Sequence, residues 1–231
     1  MTIPRIIHQT WKNETIPAHF ALLVDTWKQN HPGWEYVLWT DEMNRTFIQE
    51  HFPAFIDQYD AFKYNIQRVD AVRYFILYKL GGVYVDLDFE CIKNLEPLLE
   101  NEACVMGVEP PLHCAIHKKD MIISNAFMAC APGNPFMQAL CEEMAQIGET
   151  TMHANDYILS TTGPFMLTRV YDRFANNGAV TLLEPDKLYA LTKDEIVKVV
   201  NGDDVDSTIQ EKIDNAYGIH YYWGTWWRQG I

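Results

Sequence analysis

Leu80-Gly81-Gly82-Val83-Tyr84-Val85-Asp86-Leu87-Asp88-Phe89 is the stretch on which the reading of this chain turns. It reads as a helix end, a double-glycine turn and a short strand with two aspartates one residue apart. Side chains alternate between the two faces of a strand. Val83, Val85, Leu87 and Phe89 therefore share one face, and Tyr84, Asp86 and Asp88 the other. The apolar row can be buried while both carboxylates point the same way. Like charges at that spacing raise each other's pKa, and a divalent cation removes the penalty. Hard cations prefer carboxylate oxygens. The stretch is expected to be the metal-holding centre of an enzyme that handles a phosphorylated donor.

Upstream, Phe62, Ile66, Val69, Val72, Phe75, Ile76 and Leu80 form an apolar stripe that predicts a long helix from about Ala61 to Leu80, with Gly81 as its left-handed C-cap. Asp70 and Arg73, three apart, share a face of that helix. They fit an ordinary surface ion pair, or a donor site in which Asp70 accepts from a sugar or ribose hydroxyl and Arg73 reaches sugar or phosphate oxygens. Nearer the start, Pro4-Arg5-Ile6-Ile7-His8-Gln9-Thr10-Trp11 reads as a first strand running into a loop. His8 and Trp11 then sit at the carboxyl end of the strand, where open α/β sheets bind ligands. Trp11 suits a platform for a nucleotide base, or a place in the core. A helix from Pro17 to about Asn30, a strand from Trp34 to Trp39 and a helix capped by Thr40 or Asp41 follow. Phe52 to Asp60 reads as an aromatic-rich connection.

Downstream, strands are expected at Ala103 to Val108, Ile122 to Cys130 and within Val180 to Leu191. Helices are expected from Pro135 to about Ile147 and from Gly163-Pro164 to about Asn176. Glu109 to Met121 reads as a loop with His113, His117, Lys118 and Lys119 in solvent. Asn125 could bond sugar hydroxyls or simply satisfy backbone. The chain ends in an aromatic cluster with His220, Trp223, Trp226 and Trp227. It could pack on the sheet, or supply His220 as a metal ligand and the tryptophans as walls of a sugar pocket. Imidazole beside two carboxylates suits Mn²⁺ better than Mg²⁺. Alternating strands and helices point to one α/β domain over residues 1–231, its largely parallel sheet covered on both faces.

Composition narrows the class. The 231 residues are 48% hydrophobic, which fits a folded globule. A net charge of −13 argues against nucleic acid as a partner, because phosphate backbones are gripped by Lys and Arg. Five cysteines without a C-x-x-C pair argue against structural zinc and a disulfide framework. The N-terminus has no apolar run long enough for a signal peptide, and no stretch could span a membrane. A cytoplasmic location is expected, and the sequons at Asn13 and Asn44 are read as chance.

The motifs Ile3-Pro4-Arg5-Ile6-Ile7-His8-Gln9-Thr10-Trp11, Arg68-Val69-Asp70-Ala71-Val72-Arg73-Tyr74 and Gly81-Gly82-Val83-Tyr84-Val85-Asp86-Leu87-Asp88, in this order, resemble the DXD-containing sugar-transferring glycosyltransferases. That group includes fungal Golgi mannosyltransferases, the enzymes mannosylating inositol phosphorylceramide and bacterial capsular polysaccharide transferases. The glucosylating clostridial toxins are more distant. The resemblance runs from Ile3 to about Trp227. It implies a GT-A fold, a Rossmann-like α/β sandwich that binds a UDP- or GDP-sugar with Mn²⁺, or alternatively Mg²⁺. It implies transfer of a hexose, with retention, to a hydroxyl of a glycan, glycolipid or protein acceptor, giving an α-linkage. Peripheral contact with a membrane-bound acceptor is compatible with it.

By the resemblance Trp11 stacks on the donor base, and Asp70 and Arg73 contact ribose and donor sugar. Asp86 touches the sugar and the metal shell, and Asp88 and His220 are metal ligands. Asn125, Gly163 of a recurrent Thr-Gly-Pro, and Trp226 join the donor site. Asp86, Asp88 and Arg73 form the catalytic group. From the residues alone, a metal-dependent sugar-nucleotide hydrolase or nucleotidyltransferase and a non-enzymatic carbohydrate-binding protein are the alternatives.

Overall fold

The computed structural model describes residues 2–145, 152–174, 180–203 and 205–224. The N-terminal elements follow the expected order: β1 (Ile6–Thr10), α1 (Ala18–Asn30), β2 (Glu35–Trp39) and α2 (Asp41–His51). Phe20, Leu23, Val24 and Trp27 bury the inner face of α1. Thr40 caps α2, its side chain accepting from the Met43 amide, and Asp41 and Glu42 lie in the first turn, where negative charge meets the helix dipole.

The expected connection after α2 is instead helical. A 3₁₀ turn (Pro53–Phe55) leads into α3 (Ile56–Ala61), and the long helix α4 starts only at Asn65 and runs to Leu80. Phe62 leaves helical geometry and packs on Phe55, with ring centroids 6.1 Å apart. Arg68 donates to the Phe62 carbonyl at 2.7 Å and ties the break. The apolar period ran through this break because Phe62 is buried from both directions.

After α4 come β3 (Gly82–Val85), β4 (Phe89–Cys91), α5 (Glu96–Leu99) and β5 (Cys104–Val108). Then follow α6 (Pro111–Ile116), β6 (Ile123–Cys130), α7 (Pro135–Met144), α8 (Ala154–Thr161) and α9 (Pro164–Phe174). The chain continues through β7 (Thr181–Leu183), α10 (Pro185–Leu188), α11 (Lys193–Asn201), α12 (Ser207–Asn215) and β8 (Gly218–His220). Two expectations change here. The segment after Glu109 holds a helix rather than a bare loop, and the strand after Val180 is only three residues long.

Among the described residues the central sheet has six strands in the order β2-β1-β3-β6-β5-β7. β1 is parallel to β2 and β3, and β5 to β7, while β6 runs against β3 and β5. β1, β3 and β5 therefore end on the same edge. The sheet is buried on both faces. Tyr84, Met106 and Met128 face one core with α4, α7 and α9, and Val83, Val85, Val105 and Phe127 face another that contains Trp27 and Phe89.

The double glycine makes the turn between α4 and β3. Gly81 has φ +67 and Gly82 φ +98, a region disfavoured for side chains. A Cβ on Gly82 would stand 2.7 Å from the Ile6 carbonyl and 3.0 Å from the His8 ring. β1 and β3 can pair closely only because nothing projects there. Gly81 keeps the positive φ expected of a C-cap, but its ψ of −162 places it outside the left-handed helical region.

Candidate active site

The two aspartates do not lie on a strand. β3 ends at Val85, and Asp86 and Asp88 occupy the turn that leaves its carboxyl end. The Asp86 amide still donates to the Ala126 carbonyl at 2.9 Å, the last backbone bond of that strand edge. The chain then bends. Leu87 packs with Phe20 and Val24, whereas Val83, Val85 and Phe89 belong to the core around Trp27. The carboxylates converge because both sides of the turn are tied down, not because of strand alternation.

Asp86 is held from the helix side. Its Oδ1 accepts from the Tyr84 hydroxyl at 2.8 Å and pairs with Arg73 Nη1 at 3.1 Å. Asp88 is held from the C-terminal side. Its Oδ1 lies 3.2 Å from His220 Nε2, and its Oδ2 accepts from the Trp223 amide at 2.9 Å. Local sequence has no means of bringing His220 here. β4 and β8 form an antiparallel ladder that pairs Phe89 with His220, and the two rings stack at 5.0 Å. Asp86, Asp88 and His220 each offer a ligand atom, all within 4.8 Å of one another. The His220 Nδ1 atom is buried and has no hydrogen-bond partner. Two carboxylates and an imidazole with an unsatisfied ring nitrogen form a donor set that fits a divalent cation such as Mn²⁺.

Behind this turn Asp70 and Arg73 form a buried pair rather than a surface one. Their side chains are 8% and 3% exposed, and Arg73 Nη2 lies 3.1 Å from Asp70 Oδ1. Arg73 Nη1 also donates to the Asn125 carbonyl at 2.7 Å, and its guanidinium lies 4.5 Å from the Tyr84 ring centre. Asn125 Nδ2 donates to Asp70 Oδ1 at 2.9 Å, and the Thr162 hydroxyl donates to Asp70 Oδ2 at 3.2 Å. Both oxygens of Asp70 are thus engaged by protein. Thr162 is carried by the Thr-Gly-Pro turn. A Cβ on Gly163 would stand 2.9 Å from the Leu159 backbone, so this glycine lets α8 and α9 meet closely.

The titration behaviour follows from these contacts. Burial pushes the Asp70 carboxyl up to about 6 despite Arg73. Burial also raises Asp86, with Arg73 pulling the other way. At Asp88 burial opposes the charge, but His220 outweighs it and holds the carboxyl below the usual range. The same contact outweighs burial at His220 and raises its pKa. Asp86 and Asp88 are therefore driven apart, one by desolvation and the other by its partner.

Other expected residues are distributed unevenly. Trp11 follows β1 on the ligand edge, half-buried against Phe20 at 5.3 Å, with its indole N–H donating to the Thr15 carbonyl at 3.1 Å. His8 is not on the ligand edge in any useful sense. It is fully buried, accepts from Trp39 Nε1 at Nδ1 and contacts the Gly81 carbonyl through Nε2 at 2.9 Å. Trp226 and Trp227 lie outside the described residues. His113 is not a solvent residue. Its Nδ1 meets Glu109 Oε2 at 2.9 Å, and the same oxygen accepts from the Tyr222 hydroxyl at 3.0 Å. The Tyr222 ring lies 4.1 Å from His220 and 4.8 Å from His113.

Glu109 is therefore a fourth acidic group of this site, beside Asp70, Asp86 and Asp88, and the sequence motifs do not point to it. Burial opposes its charge, but its bond with His113 and the nearby His220 hold its pKa down. It directly follows β5, so the carboxyl-end rule applied to Trp11 could have found it. Tyr222 has φ +51, uncommon for a bulky residue and found where surrounding contacts over-determine the backbone.

Comparison with known proteins adds to this geometry. Residues 17–105 match the family model described as a glycosyltransferase sugar-binding region containing a DXD motif. Inositol phosphoceramide mannosyltransferase 3 of Schizosaccharomyces pombe is 40% identical over 169 residues, covering 73% of this chain and 45% of that protein. Mannosyl phosphorylinositol ceramide synthase SUR1 of Saccharomyces cerevisiae is 37% identical over 188 residues, covering 79% and 47%. The chain thus spans about half the length of the curated relatives it matches. Among solved structures, PaToxG glycosyltransferase superposes with a TM-score of 0.51 at 16% identity, covering 93% of this chain and 85% of that one. That likeness is one of fold, the GT-A arrangement expected from the sequence.

The expected cytoplasmic location is overturned by these relatives, whose names place them in the mannosylation of inositol phosphoceramide, a lipid acceptor. Among the described residues no helix is long and apolar enough to cross a membrane, and that fact does not assign a compartment.

Proposed function

We propose that this chain, which carries the DXD-containing sugar-binding region of glycosyltransferases, is one metal-dependent transferase domain that moves a hexose from a nucleotide-sugar to a hydroxyl of a lipid-linked or glycan acceptor, with retention and an α-linkage. The names of the relatives favour mannose as the sugar and an inositol phosphoceramide as the acceptor. The observation that carries the reading is the convergence of Asp86, Asp88 and His220 at the carboxyl edge of the sheet, with Arg73 behind them.

Asp88 and His220 would hold the cation, and Asp86 would share it. A bound divalent cation neutralises the charge that builds on the departing diphosphate. The chain's own residues do the rest. Arg73 and Tyr84 anchor one oxygen of Asp86, which leaves the other for a ligand. Asp70, with its oxygens held by Arg73, Asn125 and Thr162, fixes the guanidinium that orients Asp86. Trp11 offers its indole face to the donor base. Among the described residues no side chain stands out as a nucleophile, and a same-side attack within an ion-pair-like state fits retention.

The test is Asp88→Asn, with EDTA treatment of the unmodified protein alongside. Mannose transfer from GDP- and UDP-sugars to an inositol phosphoceramide acceptor should disappear in both, while circular dichroism shows that the fold is kept. Mn²⁺ binding, followed by electron paramagnetic resonance, should weaken in the variant. Full transfer in EDTA would refute the metal. Cleavage of the donor without any transfer product would favour hydrolysis, and sugar binding untouched by either treatment would favour a carbohydrate-binding protein.

A further inference from the structure

Helix α6 has two faces with different chemistry. Its inner face belongs to the site, with Cys114 buried and His113 bonded to Glu109. Its outer face carries Leu112 and Ile116, four apart, which are 58% and 62% exposed. The helix ends at His117, and Lys118 turns the chain with φ +53. Lys118 and Lys119 are the only adjacent pair of Lys or Arg residues in a chain of net charge −13. Both are exposed. The basic turn is anchored, because Lys119 Nζ lies 4.4 Å from the centre of the Phe165 ring and the His117 ring meets the same ring at 5.1 Å. Asp120, Asp156 and Glu109 are acidic groups near it, and Lys193 at the start of α11 lies near His117 as a further cation.

We propose that Leu112, Ile116, Lys118 and Lys119 form the face by which the protein adsorbs to an anionic lipid bilayer, next to the site that receives the acceptor headgroup; this deepens the proposed transfer to a lipid-linked hydroxyl. A strongly acidic protein is repelled by an anionic surface, so an exposed adjacent lysine pair is where it can approach one, and that pair sets its orientation. Apolar side chains beside the lysines add insertion to attraction, and stable adsorption needs both signals. The patch is also close to the chemistry. The Tyr222 ring bridges His113 on α6 and His220 at the metal-ligand cluster, so one side chain separates the lipid-facing helix from the transfer centre.

The experiment is co-sedimentation of the protein with vesicles of phosphatidylcholine alone and of phosphatidylcholine mixed with phosphatidylinositol, at low and high salt. The wild type should bind the phosphatidylinositol vesicles, release in high salt, and bind neutral vesicles weakly. K118Q/K119Q should lower the partition coefficient roughly 25-fold, about fivefold for each lysine at an anionic surface. L112Q/I116Q should lower it by roughly tenfold, from lost apolar insertion. None of the four residues touches the site, so both variants should keep wild-type transfer to a water-soluble acceptor.

Absence of binding to phosphatidylinositol vesicles, equal binding to neutral ones, or unchanged binding by both variants would overturn the proposal. So would a dimer in light scattering that L112Q/I116Q abolishes without lowering vesicle binding, which would assign the face to a second copy. Vesicle binding with the expected variant effects, in a protein that transfers no sugar, would support the surface and count against the transfer function, so the two failures are separable.

Discussion

Arg73→Gln isolates the electrostatic centre of the site. Arg73 is 3% exposed and compensates two carboxylates at once, Asp70 and Asp86, each at 3.1 Å. Glutamine keeps some of the length but removes the cation. Asp70 would retain its bonds from Asn125 and Thr162, yet its charge would be buried without compensation. Removing one partner of a buried ion pair costs about 3–5 kcal/mol. For a chain of this size that corresponds to a fall of roughly 10 °C in Tm.

The pH dependence gives the effect its signature. Asp70 has a folded pKa raised to about 6, above its unfolded value. Its contribution to stability is therefore full below the unfolded pKa and is lost as pH rises through the folded pKa. Without Arg73 the folded pKa rises further, so the deficit of Arg73→Gln should be largest near neutral pH and shrink at about pH 5. Urea unfolding followed by tryptophan fluorescence at the two pH values measures this directly. A loss below about 1 kcal/mol at neutral pH, within the range of an exposed pair, would refute the burial argument. A deficit that grows toward pH 5 would refute its electrostatic origin.

Two further outcomes are expected. Gly82→Ala should cost about 3 kcal/mol, combining positive-φ strain with displacement of the Ile6 carbonyl 2.7 Å away, and a loss under about 1 kcal/mol by chemical denaturation would contradict the close approach of β1 and β3. Burial holds the His8 pKa down, to about 4, so the neutral ring's contribution is present above the unfolded value near 6.5 and is lost as pH falls from there to about 4. Asp70 titrates in the opposite sense over part of that window, so the His8 share of about 2–4 kcal/mol is read as the difference in slope between wild type and His8→Asn; equal slopes would assign the pH dependence to other groups.

Much of the site was legible because its parts are local. Asp70 and Arg73 are one helical turn apart, and the three-residue spacing makes their ion pair. The glycine pair announced a positive-φ turn, and both glycines have one. Legibility failed where long-range packing overrode local pattern. The apolar period carried the long helix back through Phe62, but burial of that ring against Phe55 breaks the helix before Asn65. Alternation placed Asp86 and Asp88 on a strand, but β3 stops at Val85 because the next residues bend toward α1 and β8. His113 was assigned to solvent because nothing in Glu109-Pro110-Pro111-Leu112-His113 reveals that Glu109 and Tyr222 meet it.

By itself, then, the sequence determined the alternating α/β order, the turn that brings α4 against β3, and the pairing of an acidic and a basic residue on α4. These depend on backbone preference and on periodicity over a few residues, which local composition encodes. Tertiary structure alone decided that Asp88 meets His220, 132 residues away in the chain by their numbers, through the β4–β8 ladder. It also decided that Asp70 and Arg73 are buried and that Glu109 meets His113 and Tyr222 beside the site. Each of these rests on contacts between segments whose separation in sequence carries no periodic signal. Only the folded sheet, by ending β1, β3 and β5 on one edge, brings those segments to a single place.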